Sequence, residues 1–264
     1  MPVPLAQIET VSIIAALVAV AAAERFRPRI VRRISSPWRC RTNVLLFALN
    51  ATLIALPLSW LVGQIDNLRL STYSENTAPG WAVVAFWLGW IFLLDLASYF
   101  LHRLLHWVPL FFRMHCAHHS DDDVDLTTAF RRHPMEFLFD AALMLLAGFA
   151  IGAPLEVNGA YGILATVFQI WHHGNIALTG PLGRILAAVL VTPALHRTHH
   201  ALDVRVADGN FGTVLSVWDR MFGTLRADPE PPRFGVPGLD EPRHQRIGNV
   251  LLSPVLLDPH AGER

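Results

Sequence analysis

Long apolar blocks separated by short polar stretches dominate the pattern of this sequence. Two blocks, NVLLFALNATLIALPLSWLVG (43–63) and WAVVAFWLGWIFLLDLASYFL (81–101), each have the roughly 20 residues that an α-helix needs to cross a bilayer. An earlier block, VSIIAALVAVAAA (11–23), reaches that length only if residues 3–7 belong to the same helix. The pattern therefore predicts three membrane-spanning helices within residues 1–101.

Two further apolar blocks, FLFDAALMLLAGFAIGAPL (137–155) and AYGILATVFQIW (160–171), are separated only by EVNG. This spacing predicts a helical hairpin over 137–171. From residue 227 onward the chain is rich in proline and charge, which predicts a loosely ordered extramembrane tail (227–264) without a chemical role.

The sequence as a whole predicts an all-α fold, a multipass membrane helical bundle with about four to five spans. We expect one integral-membrane domain over 1–264, in which residues 102–226 form a histidine-rich catalytic region that caps the bundle on the cytosolic side. Hydrophobic residues make up 53% of the chain and charged residues 16%, which is too apolar for a typical soluble domain. The formal net charge is zero, so the chain lacks the basic signature of a nucleic-acid-binding protein.

The distribution of arginine predicts the orientation. Residues 24–41 contain seven arginines, whereas residues 64–79 contain one. Basic loops stay on the cytoplasmic side, so this places the 24–41 loop, the histidine clusters and everything after Trp171 on that side. The first 24 residues hold no lysine or arginine, which favours an uncleaved span over a signal peptide. All 21 basic residues are arginine, as in GC-rich genomes, and we expect a bacterial inner-membrane protein.

Histidines recur at helical spacing in HRLLH (102–106), HCAHH (115–119) and LHRTHH (195–200). Histidines at i, i+3 and i+4 share one helix face, and neutral imidazole is a good ligand for iron, zinc, copper and nickel. One helix supplies two or three ligands at most, so a larger site must draw on several helix ends. Ionisable groups at the edge of the hydrocarbon region are costly unless they are paired or bound. The pattern therefore predicts a metal centre, while His244 and His260 in the tail are expected to be ordinary polar residues.

Five stretches together resemble the fatty acid hydroxylase / sterol desaturase superfamily: DLASYFLHRLLHWVPLFFRMHCAHHS, RRHPMEF, HHGNI, TPALHRTHH and DGNFGTVLSVWDRMFGT. The resemblance covers about residues 95–225. It implies a bundle of membrane helices with a cytosolic centre of two iron ions, which zinc can replace in a purified sample. It also implies O2 as cosubstrate and the hydroxylation or desaturation of a lipid C–H bond with external electrons.

Position by position, the resemblance implies a set of histidine metal ligands: His102, His106, His115, His118, His119, His133, His173, His196, His199 and His200. Two positions have alternatives. His133 precedes Pro134 and could instead cap the next helix. In WHHGNI the family pattern favours His173 over His172.

Four polar residues are candidates for holding the ligands in place, namely Asp95, Asn175, Asn210 and Asp219. A metal-bound imidazole usually donates its second N–H to a carboxylate or carbonyl, and Asp95 lies seven residues before His102 on the same helix face. The acidic run at 121–125 could serve in the same way or could be a solvated loop. The resemblance implies that Asn210 and Asp219 brace the centre and do not bind metal.

The expected substrate is a membrane lipid, such as a sterol, fatty acyl chain or carotenoid, that enters from the bilayer. An aromatic-lined pocket would receive it, with Phe86, Trp87, Phe92, Phe130 and Trp171 as candidates. No heme or dinucleotide motif is present, so electrons are expected from a separate ferredoxin, cytochrome or reductase. One alternative is a di-zinc membrane lipid hydrolase, which needs no reductant. Another is a metal transporter, which would place its histidines near the membrane midplane and not at the span ends.

Overall fold

The computed structural model describes residues 5–31, 37–66, 79–226 and 233–256, which form helices and no strand. In chain order the α-helices are α1 Leu5–Phe26, α2 Pro37–Asn50, α3 Leu56–Asp66, α4 Gly80–Trp107, α5 Pro109–His119, α6 Pro134–Ile151, α7 Leu155–His173, α8 Gly180–Val189, α9 Pro193–His199, α10 Val204–Ala207, α11 Val217–Met221 and α12 Ile247–Leu256. Short 3₁₀ helices cover Leu126–Phe130 and Pro242–Gln245.

Four of the described helical segments are long and apolar enough to cross a membrane: Gln7–Phe26, Trp38–Gln64, Gly80–Trp107 and Pro134–Ile151. The predicted membrane helical bundle is therefore confirmed. The second segment joins α2 to α3 through a π-helical turn, Ala51–Ala55, which ends two residues before Pro57. A proline cannot donate the i→i−4 hydrogen bond, and the wider turn accommodates that loss without ending the helix.

The predicted hairpin forms, but its turn lies earlier than the EVNG stretch. Helix α6 ends at Ile151, where Gly152 has the left-handed φ of 74° that a glycine C-cap adopts. Helix α7 begins at Leu155, directly after Pro154. Residues 156–159 therefore lie in α7, where Asn158 packs so closely on Gly148 of α6 that a Cβ there would overlap its side chain.

The end of α1 lies on the same side of the bundle as the histidine-rich helices. The Glu24 carboxylate accepts hydrogen bonds from the backbone N–H groups of Leu126 and Asn175, at 2.9 Å and 2.8 Å. The Arg27 carbonyl accepts another from the N–H of Ala177. The described part of the arginine-rich 24–41 stretch therefore shares a side with the histidines.

The expectation of a loosely ordered tail is wrong for residues 233–256, and the rest of that predicted tail lies outside the described residues. Helix α12 packs against α5, with Val250 buried against Ala117. The Gln245 side chain donates a hydrogen bond to the Ser120 carbonyl at 2.8 Å. The apolar face of α12 and the buried Gln245 amide thus fix residues 233–256 against α5, although the composition of this segment resembles that of a loop.

A buried ion cluster joins the start of α2 to the loop after α5. The Arg39 guanidinium donates hydrogen bonds to the carboxylates of Asp121 and Asp125 and to the hydroxyl of Thr128, and the Arg39 side chain is fully buried. The Asn43 amide also donates to Asp121 at 3.0 Å. The acidic run is therefore neither a partner of the histidines nor a solvated loop, because it neutralises a buried arginine.

We predict that Arg39→Ala destabilises the protein by about 3 to 5 kcal/mol, because it leaves two buried carboxylates without their counter-charge. The measurement is thermal unfolding of the detergent-purified variant. Arg243→Ala is the control, since that arginine is exposed and pairs only with the exposed Glu241. An Arg39 variant that unfolds at the wild-type temperature would show that the cluster contributes little to stability.

Candidate metal centre

Four helices end at one point and bring their histidines with them. Helix α4 carries His102 and His106 in its last turns, α5 ends at His119, α7 ends at His173, and α9 ends at His199. Helix C-termini carry a partial negative charge and stabilise nearby cations. The local folding of all four helices therefore favours a positive charge where they meet.

The structure brings nine of the ten predicted ligands together in two groups. The five-histidine group contains His102, His106, His115, His119 and His199, and the four-histidine group contains His118, His173, His196 and His200. Within each group, one ring nitrogen from every histidine lies within 4.8 Å of the others. Both groups contain imidazole nitrogens alone, so neither includes a carboxylate.

Hydrogen bonds fix which ring nitrogen carries a lone pair in several of these histidines. His102 Nδ1 donates to the Phe211 carbonyl at 2.9 Å, and His199 Nδ1 donates to the Gly209 carbonyl at 2.7 Å. In a neutral imidazole the other nitrogen then has no proton. The two Nε2 atoms nevertheless face each other at 3.0 Å, so two lone pairs meet without a hydrogen between them.

The four-histidine group repeats this arrangement. His118 Nδ1 donates to the Arg131 carbonyl at 3.0 Å, and His173 Nδ1 donates to the Gln169 carbonyl at 2.7 Å. Their Nε2 atoms lie 3.1 Å apart. Two nitrogens bound at right angles to one ion, at bond lengths of roughly 2.1 Å, would lie about 3.0 Å apart. The residues present therefore fit a metal ion in each group.

Burial keeps these imidazoles in the neutral form that binds metal. Loss of solvation, followed by repulsion from His115, lowers the pKa of His199 to about 3. Four other histidines have a pKa well below the usual range, mainly because they are buried and also because neighbouring imidazoles repel a positive charge. They are His118, His119, His196 and His200. At neutral pH their ring nitrogens are therefore available as ligands.

Glu136 is a functional residue that the sequence reasoning missed. Its Oε1 accepts the N–H of His115 Nδ1 at 3.0 Å and a hydrogen bond from Arg132 Nε at 3.1 Å. A carboxylate in this position orients the ring and strengthens it as a ligand. The available signal was the acid in RRHPMEF, three residues beyond His133 and in the first turn of α6.

Two histidines near the centre belong to neither group. His133 caps α6, with Nδ1 accepting the Met135 backbone N–H and Nε2 donating to the Leu251 carbonyl, both at 3.2 Å. Both of its ring nitrogens are thus engaged and it lies outside both groups, an arrangement that matches the capping alternative. His172 lies outside the groups as well, although its ring centroid is 3.9 Å from that of His196.

Asp95 contacts no histidine, contrary to expectation. Its carboxylate accepts hydrogen bonds from the Trp218 indole N–H at 2.8 Å and from the backbone N–H groups of Val214 and Leu215 at 3.1 Å. Seven residues correspond to about 10 Å along a helix, so the shared face does not bring Asp95 to His102. The carboxylate instead holds the loop that supplies the carbonyl partner of His102.

Asp219 supports the same loop from its other side. Its two carboxylate oxygens accept the backbone N–H groups of Phe211 and Gly212 at 2.8 Å and 2.9 Å. The Thr224 hydroxyl donates to it at 2.7 Å. Since the Phe211 carbonyl accepts the hydrogen bond of His102 Nδ1, Asp219 positions that imidazole through the backbone.

The two predicted asparagines also act at a distance from the histidine nitrogens. Asn210, with a left-handed φ of 58°, donates to the Leu195 carbonyl at 2.9 Å and accepts the Arg226 backbone N–H at 2.8 Å. Asn175 exchanges two hydrogen bonds with the backbone of Ile30. The first fixes the start of the loop beside α9, and the second ties the end of α7 to the segment after α1.

Cavities reach the histidines from different directions. A chamber of about 60 Å³ lies between the two groups and has His102, His115, His118, His173 and His196 in its wall. A cleft of about 980 Å³ touches the five-histidine group at His106 and His119. The chamber is small and has histidines of both groups in its wall, whereas the cleft contacts only the five-histidine group.

A third cavity, of about 740 Å³, lies among the membrane helices and has no histidine among its described lining residues. Of the aromatic residues expected to line a substrate pocket, Phe130 lines this cavity. The other four, Phe86, Trp87, Phe92 and Trp171, line none of the three cavities. Trp87 and Trp171 pack instead in the hydrophobic clusters among the helices.

Comparison with known proteins places the site within a matched region. Residues 87–224 match the family model described as fatty acid hydroxylase. The chain is 33% identical to the alkylglycerol monooxygenase of Xenopus tropicalis over 153 residues, which cover 57% of this chain and 33% of that protein. It is 29% identical to the ornithine lipid hydroxylase OlsE of Rhizobium tropici over 171 residues, or 64% and 50% of the two chains.

The methylsterol monooxygenase 1 of Danio rerio is 30% identical over 194 residues, which cover 71% of this chain and 62% of that protein. The chain thus spans between one third and about three fifths of the length of these relatives. No solved structure matches it.

We predict that Glu136→Ala lowers metal affinity by about 10- to 100-fold, because His115 loses the acceptor that orients it. Competition with a chromophoric chelator measures the affinity. Glu136→Gln should retain most of it, because the amide oxygen still accepts the imidazole N–H. Glu156→Ala, at an exposed position in α7, is the control. Unchanged affinity in Glu136→Ala would exclude a role for the carboxylate in positioning His115.

Proposed function

Because the chain belongs to the fatty acid hydroxylase family, we propose that it is an oxygenase with two iron ions that hydroxylates or desaturates a C–H bond of a membrane lipid. The observation that carries the proposal is the convergence of nine buried or half-buried imidazoles in two groups. Relatives named as monooxygenases and hydroxylases of alkylglycerol, ornithine lipid and methylsterol support a lipid substrate and O2 as cosubstrate.

The five-histidine group would hold one iron and the four-histidine group the other. Imidazole is a suitable ligand for iron, although zinc can occupy the same nitrogens in a purified sample. When bound, the two ions supply the activation of O2 and the oxidising power that removes hydrogen from an unactivated carbon.

The residues of this chain orient, shield and confine the centre. Hydrogen bonds from Nδ1 of His102, His115 and His199 to fixed acceptors hold these rings in one tautomer and one orientation. Burial of the histidines excludes bulk water. The chamber of about 60 Å³ has room for a few molecules of the size of O2 or water, given a share of roughly 30 Å³ for a water molecule in the liquid.

Hydroxylation of a lipid consumes one O2, two electrons and two protons, inserts one oxygen into the C–H bond and releases the other as water. Desaturation uses the same electrons and protons, removes two hydrogens from the lipid and releases two waters. We assign the electrons to a separate redox protein, such as a ferredoxin, cytochrome or reductase. The arginine-rich stretch supports a centre on the cytoplasmic side of a bacterial inner membrane. A soluble or cytoplasm-facing donor would reach a centre in that position.

We predict that His199→Ala lowers both metal content and lipid oxidation, each by at least tenfold, because it removes a nitrogen from the five-histidine group. Elemental analysis of iron and mass spectrometry of host lipids, searching for a gain of one oxygen or a loss of two hydrogens, measure the two effects. His244→Ala is the control, since this histidine lies outside both groups.

Each variant must first be shown to be monodisperse in detergent, because loss of a buried histidine can also unfold the protein. A folded His199→Ala protein with two irons and normal turnover would disprove the role of this histidine. Wild-type protein that cleaves lipid esters without O2 and contains two zinc ions would favour the hydrolase.

The orientation has its own test. We predict that a cysteine at Ser35, in a Cys40→Ser background, is protected from a membrane-impermeant maleimide in intact cells. A cysteine at Ser74 should be labelled, because the loop with one arginine faces outward. Labelling of inverted membrane vesicles should give the opposite pattern. Labelling of the Ser35 position in intact cells would overturn the cytoplasmic placement of the centre.

A further inference from the structure

We propose that the cleft of about 980 Å³ beside the five-histidine group binds the anionic head group of a membrane lipid, and that this lipid is the substrate. The inference rests on the proposed oxygenase function. It goes further because it assigns the cavity, the charge of the head group and the part of the lipid that is oxidised. His106 and His119 lie in the wall of the cleft, so a bound molecule lies beside the centre.

Cavity size and lining favour this cleft over the other two cavities. The chamber of about 60 Å³ is too small for an acyl chain. The cavity of about 740 Å³ among the spans is large enough and adjoins that chamber through Ser98, Arg132, Asp140 and Gln169, but no histidine is among its own described lining residues. Ligand sites in proteins commonly have volumes of roughly 300 to 1,000 Å³. The cleft combines that size with contact to the five-histidine group.

The cleft opens at the boundary between membrane and water. One wall is the inner end of the α4 span, with Phe100, Leu104 and Trp107. Trp107 is 82% exposed, and tryptophan is enriched at the head-group level of membranes. Phe222 and Val236 supply apolar surface from other segments. A lipid can therefore enter sideways from the bilayer and keep its chain against apolar walls.

Arginines dominate the charge of the cleft. The four arginines that line it are Arg103, Arg113, Arg205 and Arg226. Asp208 is the one carboxylate among its described lining residues. Arg205 pairs with Asp203 at 2.8 Å, so its charge is largely compensated. The other three have no acidic partner within the described part of the chain.

The unpaired arginines retain free donor groups. Arg113 donates to the Pro254 carbonyl at 2.9 Å, and Arg226 donates weakly to the Gly223 carbonyl at 3.4 Å. Arg103 is exposed and has no side-chain partner among the described residues. Guanidinium groups bind phosphate and carboxylate through paired charge-assisted hydrogen bonds. The cleft is therefore complementary to a lipid head group with a phosphate or carboxylate.

The position of Arg103 also determines which carbon is near the centre. Arg103 and His106 are three residues apart on α4, about 4.5 Å along the helix axis. A head group held by Arg103 brings the adjoining part of the lipid to His106. We therefore expect the oxygen to be inserted at a carbon a few bonds from the head group. The second oxygen of O2 leaves as water, with two electrons from the redox donor.

The test compares two probes with the same chain, 1-oleoyl lysophosphatidate and 1-monooleoylglycerol. Equilibrium binding of each radiolabelled probe to the purified full-length protein is measured in detergent micelles without reductant, so that no turnover occurs. We expect lysophosphatidate to bind at least tenfold more tightly. The double variant Arg103→Gln/Arg226→Gln should lose about that factor for lysophosphatidate and bind monooleoylglycerol as the wild type does.

Arg184→Gln removes an exposed arginine of α8 that does not line the cleft, and it should bind both probes normally. Metal content and monodispersity establish that the variants are folded. Equal wild-type affinity for the two probes, or unchanged lysophosphatidate binding by the double variant, would overturn the proposal. Full competition by millimolar inorganic phosphate would also overturn it, because a free anion and not a lipid would then be the ligand.

Two further outcomes separate this proposal from others. The double variant could bind lysophosphatidate normally, lose turnover with a protein electron donor and keep turnover with a chemical reductant. That result would identify the cleft as a docking site for the donor. The binding result stands even if the protein proves not to be an oxygenase, because no turnover is involved. If turnover is found, tandem mass spectrometry locates the new oxygen, and a mid-chain position would contradict the assignment.

Discussion

The alignment of imidazole lone pairs is the constraint on which the rest of the structure depends. Nine Nε2 atoms can converge only if each ring keeps its proton on the far side, and backbone carbonyls or a carboxylate fix that proton for several of them. Pairs of lone pairs at about 3 Å repel each other unless a cation lies between them. The helices, loops and buried ion pairs around the site are therefore best understood as the framework that holds these nitrogens together.

That framework is mostly backbone. The loop from Phe211 to Ser216 accepts a hydrogen bond from His102 at the Phe211 carbonyl, and it is held in turn by the carboxylates of Asp95 and Asp219. A similar chain runs from Arg39 through Asp121 to the loop after α5. Asp95, Asp219 and Arg39 thus act on the centre indirectly, because they fix backbone segments around it. Glu136 differs from them, because its carboxylate bonds the ring of His115 directly.

Local spacing, together with the family resemblance, was enough to predict which histidines converge and not enough to predict their hydrogen-bond partners. The HxxxH and HxxHH motifs specify helix faces directly, and the structure places nine of the ten predicted histidines in the two groups. The hydrogen bond of His115 to Glu136 and the pairing of Arg39 with Asp121, 82 positions apart, depend on tertiary packing that no short motif encodes. Asp95 shows the same limit, because its helix face was predictable but its contact with Trp218 was not. The hairpin turn was misplaced because the left-handed conformation of Gly152, and not the polar EVNG stretch, ends α6.

The segment that packs beneath α5 is also the last described part of the chain, and this order has a consequence for biogenesis. Helix α12 and Gln245 can take their places against α5 and Ser120 only after the histidines of α4, α5, α7 and α9 have left the ribosome. During synthesis the side of α5 that α12 later covers is therefore still uncovered. The contact between α12 and α5 is made only after all the histidine-bearing helices have been synthesised.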